Sequence, residues 1–369
     1  MKKIALFVSN LCNAGGTERV TALLANELIE YYDCSVVTLF KDNEIYFKLN
    51  QRIKLINIYN RRIKLKEAIF KSISKYINVI QKNKFDIIFI IGKNNGIMPL
   101  IAAYLTNTKV VFCEHNSILN YRFYNENLIK KIYRKLFQIL ILKLSDKIVV
   151  LTDREKNIFL NLYNIKNDKI LIIPNYLDDT ILEKNIVYNV TSKKIITVGR
   201  IDYQKGYEYL IEIARLVFEK HPDWQWDIYG DGEAEYKNKI INLINKHNLQ
   251  NYIILQGNRS DIYDLYKNYS LFVMTSRFEG FGMVLVEAKA KKLPLLSFDI
   301  NSGPSDIIRN GIDGFLVKPF DCQIMADRIC ELIENLELRQ EFSDNAHENI
   351  DKFNKEKIIK QWCDLIETF

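Results

Sequence analysis

The feature that most constrains the fold is a regular alternation of short apolar segments with longer amphipathic ones along almost the whole chain. The first series of predicted strands comprises residues 4–8, 35–39, 87–91, 109–113, 147–151 and 170–173. The second series comprises residues 194–198, 225–229, 253–255, 271–274 and 295–297. Strands that alternate with helical patterns pair as parallel sheets wound by crossover helices. Each series therefore predicts one α/β sheet.

Length and the break between the two series predict how the chain divides into domains. With 369 residues, 48% of them apolar, the chain is longer than one ordinary core supports. Residues 178–193 are polar and lack a strong periodic pattern, so we predict that they form a linker. The predicted domains are residues 1–177 and 178–352, followed by an amphipathic terminal helix at residues 353–369.

The N-terminus and the cysteines indicate a reduced compartment. Residues 1–10 have an apolar run that is too short for a signal peptide, and no small-residue cleavage site follows it. The six cysteines are scattered without a Cys-x-x-Cys pair, so neither a disulfide framework nor a zinc site is predicted. No segment reaches the uncharged length of a membrane span. We expect a cytoplasmic protein.

Charge is divided unevenly along the chain. Residues 1–177 contain 28 Lys and Arg against 14 Asp and Glu, whereas residues 178–369 contain 24 against 31. In the first half, cations alternate with apolar residues at helical spacing within residues 61–84 and 130–143. Such helices are typical of peripheral contact with an anionic membrane, but also of ordinary core helices with solvated lysine faces, and both interpretations stay open. No nucleic-acid motif accompanies these helices, so no nucleic-acid partner is expected. The sequence contains no signal for the oligomeric state.

The most informative segment for function is the predicted strand at residues 271–274 with the turn and helix that follow it. Gly280 and Gly282 let the backbone turn sharply and approach a ligand closely. Residues 283–288 favour a helix, whose first backbone N–H groups would point into this turn. Because unpaired N–H groups and the helix dipole both favour negative charge, the segment predicts a phosphate site.

Two glutamates eight residues apart flank this predicted phosphate site. Glu279 precedes the glycines, and Glu287 lies about one turn into the helix with its side chain tilted toward the helix N-terminus. Carboxylates on both sides of a phosphate suit the hydroxyl groups of a sugar nucleotide. Either glutamate alone would usually be a solvated surface acid. Glu287, however, stands in an otherwise apolar run, where a carboxylate without partners is costly, so a ligand site is favoured.

Glu-Gly-Phe-Gly with a second glutamate eight residues after the first resembles the signature of the retaining family-4 glycosyltransferases of the GT-B superfamily. The resemblance implies an α/β fold of two Rossmann-like domains whose parallel sheets face each other across a cleft, with the last helix crossing back to the first domain. The first domain would bind the acceptor and the second the nucleotide sugar. Glu279 would contact the donor sugar and Glu287 the ribose. The other implied donor-binding positions here are Gly280, Phe281 and Gly282, and the backbone of Met283, Val284 and Leu285 at the diphosphate.

Loops after other predicted strands add further matches to this family. Arg200 and Lys205 lie in the pattern Gly-Arg-x(4)-Lys-Gly, which matches the family's diphosphate-binding pair. His115 is implied to contact the donor sugar, although an isolated histidine is more often structural. The other implied donor-binding positions are Gly16, Gly230 and Arg259. The predicted catalytic residues are Glu279, His115, Arg200 and Lys205.

The implied reaction moves a hexosyl unit from a nucleoside diphosphate sugar, preferentially a UDP-sugar, to an acceptor hydroxyl with retention of configuration. The chain contains no Asp-x-Asp pair, so no metal ligand set and no cofactor are expected, and Arg200, Lys205 and the helix start would act in place of a metal. Glu279 suits a sugar hydroxyl better than the role of nucleophile. Departure and attack on the same face of the sugar are therefore expected, with the leaving diphosphate as base.

The basic first half favours a lipid-linked saccharide or glycolipid acceptor in surface polysaccharide biosynthesis, with the protein peripheral on the inner face of the cell membrane. Two alternatives are retained. One is a soluble synthase of the glycogen or sucrose-phosphate kind. The other is a sugar-nucleotide epimerase or a non-catalytic binding module on the same fold.

Overall fold

The chain divides into two compact units. The computed structural model describes residues 1–12, 15–41, 44–61, 65–92, 97–120, 127–163, 165–178, 181 and 186–369. The first unit contains Met1–Asn175 and Glu356–Phe369, and the second contains Tyr176–Lys355. Residues 13, 14 and 62–64 and part of the predicted linker lie outside the described residues.

The first unit is built on a parallel sheet with the order β3-β2-β1-β4-β5-β6-β7. Its strands are β1 (Lys3–Val8), β2 (Asp33–Phe40), β3 (Lys54–Tyr59), β4 (Ile87–Ile91), β5 (Lys109–Cys113), β6 (Lys147–Val150) and β7 (Ile170–Ile172). Its connecting helices are α1 (Gly16–Leu28), α2 (Leu65–Asn83), α3 (Met98–Leu105), α4 (Leu128–Leu144) and α5 (Asp153–Tyr163). Every residue of β4 is buried, as expected where helices cover both faces of a parallel sheet.

The second unit repeats this arrangement with the order β10-β9-β8-β11-β12-β13. Its strands are β8 (Lys194–Val198), β9 (Gln225–Tyr229), β10 (Ile253–Gly257), β11 (Leu271–Met274), β12 (Leu295–Phe298) and β13 (Gly314–Val317). Its helices are α6 (Tyr207–Lys220), α7 (Ala234–Lys246), α8 (Ile262–Leu265), α9 (Met283–Ala290), α10 (Pro304–Ile307), α11 (Cys322–Glu334) and α12 (Leu336–Ala346). The paired strands in both sheets run parallel.

The last helix, α13 (Lys355–Glu367), packs on the first unit although it follows the second in the chain. The Trp362 ring lies edge-on to Phe89 of β4, with 5.7 Å between the ring centroids. Lys2 Nζ donates to the Ile366 carbonyl at 2.9 Å. The apolar face predicted from the sequence is therefore buried against the first sheet, as the resemblance implied.

The predicted fold class is confirmed, and every predicted strand is present within a few residues of its expected bounds. Two strands were not predicted, β3 and β13, and both lie at the edge of their sheets. The first residues of β3 are exposed, so its sequence lacks the uninterrupted apolar run of a central strand, whereas β13 is apolar but only four residues long. Among the described residues, no helix combines the length and the apolar character needed to cross a bilayer.

Candidate active site

The centre of each sheet contains a point where the chain changes direction. In the second unit β8 and β11 are neighbours, but the chain leaves β8 toward β9 and leaves β11 toward β12 on the other side. Loops that diverge in this way leave a crevice at the carboxyl ends of the strands, where parallel sheets bind nucleotides. The loops concerned are residues 199–206 and 275–282, which contain Arg200, Lys205 and Glu279.

These two loops are bound directly to each other. The Arg277 backbone N–H donates to the Gln204 carbonyl at 2.7 Å, and Thr275 Oγ1 donates to the Lys205 carbonyl at 3.1 Å. Gly206 has a φ of +65°, and a Cβ at this position would stand only 2.4 Å from the Thr275 carbonyl oxygen. The close approach of the loops therefore requires glycine at this position.

Glu279 is buried where the two loops meet, with only 7% of its surface exposed. Its Oε1 accepts hydrogen bonds from Lys205 Nζ at 2.6 Å and Ser276 Oγ at 2.7 Å. Its Oε2 accepts a longer one from Gln204 Nε2 at 3.3 Å. Glu279 is thus not a solvated surface acid, since three donors orient its carboxylate within the crevice.

The helix after this turn begins where the sequence places it. Gly282 has a φ of +93° and immediately precedes α9, whose first residue is Met283. The first N–H groups of a helix lack partners within it, so this end of α9 can bind an anion. Two details differ from expectation. Gly282, and not Gly280, adopts the left-handed backbone, and the Leu285 N–H already donates to the Gly282 carbonyl at 2.9 Å.

Two other residues of the motif are buried. Glu287 lies in the second turn of α9 and is only 2% exposed, so it too is not a solvated surface acid. Phe281 packs edge-on against Phe353, with 5.6 Å between the ring centroids, so its side chain belongs to the core of the second unit. Ser302 Oγ donates to the Gly280 carbonyl at 3.0 Å and supports the turn from the loop after β12. Phe281 therefore anchors the turn through packing.

The predicted cations of this unit lie in different surroundings. The Lys205 side chain is 17% exposed against Glu279, whereas the Arg200 side chain is 67% exposed and pairs with Asp202 at 3.1 Å. Arg259 follows the edge strand β10, two strands from β8, and forms two hydrogen bonds to Asp261 at 2.8 and 2.6 Å. The structure thus brings Lys205 to Glu279 and leaves Arg259 engaged elsewhere.

Gly230, predicted to lie at the nucleotide, has a backbone reason to be glycine. Its φ is +142°, and a Cβ here would stand 2.0 Å from the carbonyl oxygen of Gly199. The end of β9 therefore packs tightly against the end of β8, and this contact alone accounts for the glycine.

Arg277 is a site residue to which the sequence analysis assigns no role. Its guanidinium lies 4.1 Å from the ring centroid of Tyr203 and 4.7 Å from that of Tyr209. It donates to the Tyr203 carbonyl at 2.6 Å and to Glu208 at 3.1 Å. The only sequence feature that could have identified Arg277 as a site residue is its position two residues before Glu279. Arg277 joins the segment that carries Lys205 to the segment that carries Glu279.

The first unit carries the two remaining predicted residues at the carboxyl edge of its own sheet. Gly16 is the first residue of α1, after β1, and a Cβ here would meet nothing within 4 Å. His115 follows β5, and its Nε2 is buried without a hydrogen-bond partner among the described residues. Burial lowers the pKa of His115 to about 4, so the ring is neutral at pH 7. A buried ring nitrogen without a partner can hydrogen-bond a ligand.

Both units match models of known families. Residues 14–180 match the model described as Glycosyltransferase Family 4, and residues 178–349 match the model described as Glycosyl transferases group 1. The amylovoran biosynthesis glycosyltransferase AmsD of Erwinia amylovora is 27% identical, covering 99% of this chain and 100% of that protein. A UDP-Gal:alpha-D-GlcNAc-diphosphoundecaprenol alpha-1,3-galactosyltransferase of Escherichia coli is 26% identical, covering 80% of this chain and 78% of that protein.

A solved structure shares the fold over its whole length. The Anabaena protein HepE, determined in complex with UDP and glucose, has a TM-score of 0.85 at 19% identity, covering 100% of both chains. Two Rossmann-like units, each with a parallel sheet in which the chain changes direction at the centre, define the GT-B class of fold. The chain belongs to the family-4 glycosyltransferases of the GT-B superfamily.

Proposed function

We propose that this glycosyltransferase moves a hexosyl unit from a nucleoside diphosphate sugar, preferentially a UDP-sugar, to a hydroxyl of a lipid-linked saccharide. The reaction would retain the anomeric configuration, need no metal and serve bacterial surface polysaccharide synthesis at the inner face of the membrane. The observation that carries the proposal is the Lys205–Glu279 pair at 2.6 Å beside the start of α9. In this pair the Glu279 carboxylate can accept hydrogen bonds from sugar hydroxyls, and Lys205 supplies a cation beside the predicted phosphate site.

The donor side of the proposal rests on charge. A diphosphate at the start of α9 would meet backbone N–H groups, the positive end of the helix dipole and the cations of Arg200 and Lys205. These groups offset the negative charge that develops as the diphosphate leaves, which is the task of a metal in other transferases. A UDP-sugar is preferred because the HepE structure contains UDP and the E. coli relative is named for UDP-Gal.

The way Glu279 is held supports a same-face mechanism over one with a covalent intermediate. Both of its carboxylate oxygens already accept hydrogen bonds from neighbouring side chains, which suits the orientation of a sugar hydroxyl better than nucleophilic attack. We infer that the bond from the anomeric carbon to the diphosphate oxygen breaks while the acceptor oxygen bonds on the same face. The acceptor proton then passes to the leaving diphosphate.

The acceptor side rests on the first unit and on relatives. The basic first half suits an anionic membrane, and the E. coli relative is named for a diphosphoundecaprenol-linked acceptor. The relative from Erwinia amylovora is named for amylovoran biosynthesis. A saccharide carried on a lipid diphosphate is therefore the acceptor class we propose.

Calorimetry with UDP, GDP and ADP in the presence of a chelator tests the donor site. We expect one nucleotide to bind, and we expect Arg200→Ala to weaken that binding roughly 10- to 100-fold through loss of a charge-assisted contact. Arg215→Ala, which removes a cation from α6, is the matched control and should leave the affinity unchanged. Absence of binding by all three nucleotides would refute the donor site.

Turnover tests the reaction itself. With a diphospholipid-linked N-acetylglucosamine as acceptor, nucleotide release should require the acceptor, and the anomeric coupling constant of the product should match that of the donor. An inverted product, or a glycosyl group trapped covalently on Glu279, would refute the mechanism.

A further inference from the structure

The two basic helices of the first unit have different surroundings. In the described half of α2, Tyr76 and Ile80 are buried in the core of the unit. Lys75 and Lys82 lie on the opposite, exposed face, and Lys75 Nζ stands 3.9 Å from the ring centroid of Tyr59. This part of α2 is a core helix with a solvated lysine face, and no large apolar side chain of it is exposed.

Helix α4 has apolar side chains on two faces. Phe137 and Ile141 are buried in the core of the first unit. Four other large apolar side chains are exposed: Leu128 by 72%, Ile129 by 76%, Ile132 by 51% and Leu136 by 54%. With about 100° between successive residues, these four fall within an arc of roughly 100° that points away from Phe137. A contiguous exposed apolar stripe of this kind is a sign of an interaction surface.

The charges of α4 restrict what this stripe can contact. The helix contains five Lys and Arg and no Asp or Glu in its 17 residues. Lys131 and Lys135 are exposed along one edge of the stripe, and Lys143 is exposed further along the helix. A second copy of this chain would bring two such cationic faces together, which is unfavourable. Anionic lipid headgroups match the cations, and acyl chains cover the apolar residues.

The position of α4 adds a functional consequence. A helix that connects two parallel strands begins at the carboxyl edge of the sheet, and α4 connects β5 to β6. Leu128 and Ile129, in its first turn, therefore lie toward the edge at which His115 follows β5. An acceptor carried on a lipid would reach this edge of the first unit from the bilayer.

We infer that the α4 stripe, defined as Leu128, Ile129, Ile132 and Leu136 with the flanking Lys131 and Lys135, docks the protein onto an anionic bilayer. The inference rests on the proposed function, which includes the lipid-borne acceptor. It deepens that function by assigning membrane contact to α4 and not to α2. The helix would lie in the interface plane with its stripe among the headgroups and upper acyl chains, and the buried face would keep its contacts with the core.

Vesicle binding of the full chain, measured without nucleotide, tests this inference. The vesicles contain phosphatidylglycerol and phosphatidylcholine in equal parts, with pure phosphatidylcholine as the neutral reference. Lys131→Gln with Lys135→Gln should weaken binding about 30-fold, since each cation near the surface contributes roughly a fivefold factor. Ile129→Ser with Ile132→Ser should weaken it at least about tenfold.

Lys75→Gln with Lys82→Gln on α2 is the charge-matched control, for which we expect a loss of less than about threefold. Equal binding to neutral vesicles, no effect of the α4 substitutions or an equal loss in the α2 control would each overturn the inference. So would a dimer in sedimentation that Ile129→Ser with Ile132→Ser dissolves without affecting vesicle binding. UDP affinity is measured on the same variants. If the protein binds UDP but not vesicles, this inference is wrong and the proposed donor site stands.

Discussion

The structure makes Arg277 the contact that joins the two loops of the site, and Arg277→Lys tests this role. Lysine keeps the positive charge but lacks the planar fork that donates to the Tyr203 carbonyl and to Glu208 and that stacks on the rings of Tyr203 and Tyr209. The segment that carries Lys205 would then be held to the turn of Glu279 by one backbone hydrogen bond and by the weaker set of side-chain contacts from Thr275, Gln204 and Lys205.

The cost can be estimated from these contacts. Loss of two cation–π contacts and of one hydrogen bond, each contributing about 0.5–1 kcal/mol, lowers the free energy of unfolding of the second unit by about 1.5–3 kcal/mol. Glu208 keeps its other donors, Lys239 and Tyr236. Burial alone would raise the pKa of the Glu208 carboxyl, but hydrogen bonds from Lys239 and Tyr236 and the charge of Arg277 hold it at about 2. The carboxylate therefore stays ionised in the variant.

The expected loss of activity is larger than the loss of folded protein at temperatures well below the melting midpoint. A displacement of Lys205 by about 1 Å lowers kcat/KM by roughly 100-fold, since charge stabilisation depends on fixed geometry. The assay is the initial rate of nucleotide release well below the melting midpoint. The control is Arg339→Lys, because Arg339 is also buried, donates to the Leu332 and Ile333 carbonyls and lies over Trp224. If both variants lose activity only in proportion to unfolded protein, Arg277 has no positioning role.

Three further predictions concern individual residues. Ser276→Ala removes one of the hydrogen bonds to Glu279 and should lower kcat roughly 5-fold with little change in the melting midpoint. Steady-state kinetics check the change in kcat, with Ser276→Thr as the control that keeps the hydroxyl. Arg259→Ala should leave the UDP affinity within about twofold, because this exposed side chain is engaged by Asp261; a tenfold loss would show that it turns toward the nucleotide. Because burial lowers the pKa of His115 to about 4, its neutral form is favoured by folding, so stability should be complete above about pH 6.5 and fall toward pH 4. Chemical denaturation measures this dependence of stability on pH, which should be weaker in His115→Gln. An unchanged dependence in that variant would show that His115 is exposed.

The central strands could be predicted because they are apolar on both faces. Ile87–Ile91 and Leu271–Met274 are entirely buried, and a run of such residues between amphipathic segments has few other solutions than a parallel sheet. Lys54–Tyr59 could not be found in the same way, since its first residues are exposed at the sheet edge. An exposed beginning therefore concealed β3, whereas β13 is mostly buried and was missed because it is only four residues long.

Candidate site residues could be predicted within single stretches of chain, but not which of these stretches contact each other. Glu279 and the start of α9 are contiguous, so their types and spacing carry the chemistry. The contacts of Arg277 with Tyr203 and of Gln204 with Glu279 join loops more than 70 positions apart, and no local pattern reports which loops meet. Gly230 shows that a glycine at a strand end is not by itself evidence for a ligand, since the neighbouring Gly199 carbonyl already requires it.

The basic helices show why an amphipathic pattern left two interpretations open. Periodicity reveals an apolar stripe, but it does not reveal what covers the stripe. In α2 the core covers Tyr76 and Ile80, and the lysines face water. Helix α4 is apolar on two faces, of which the core can cover only one, and it contains no acidic residue that would favour solvent or a basic partner. If α4 docks on a membrane as we infer, an apolar second face combined with uniform positive charge distinguishes it from the lysine-rich core helix α2, and the burial of the described residues is what reveals that face.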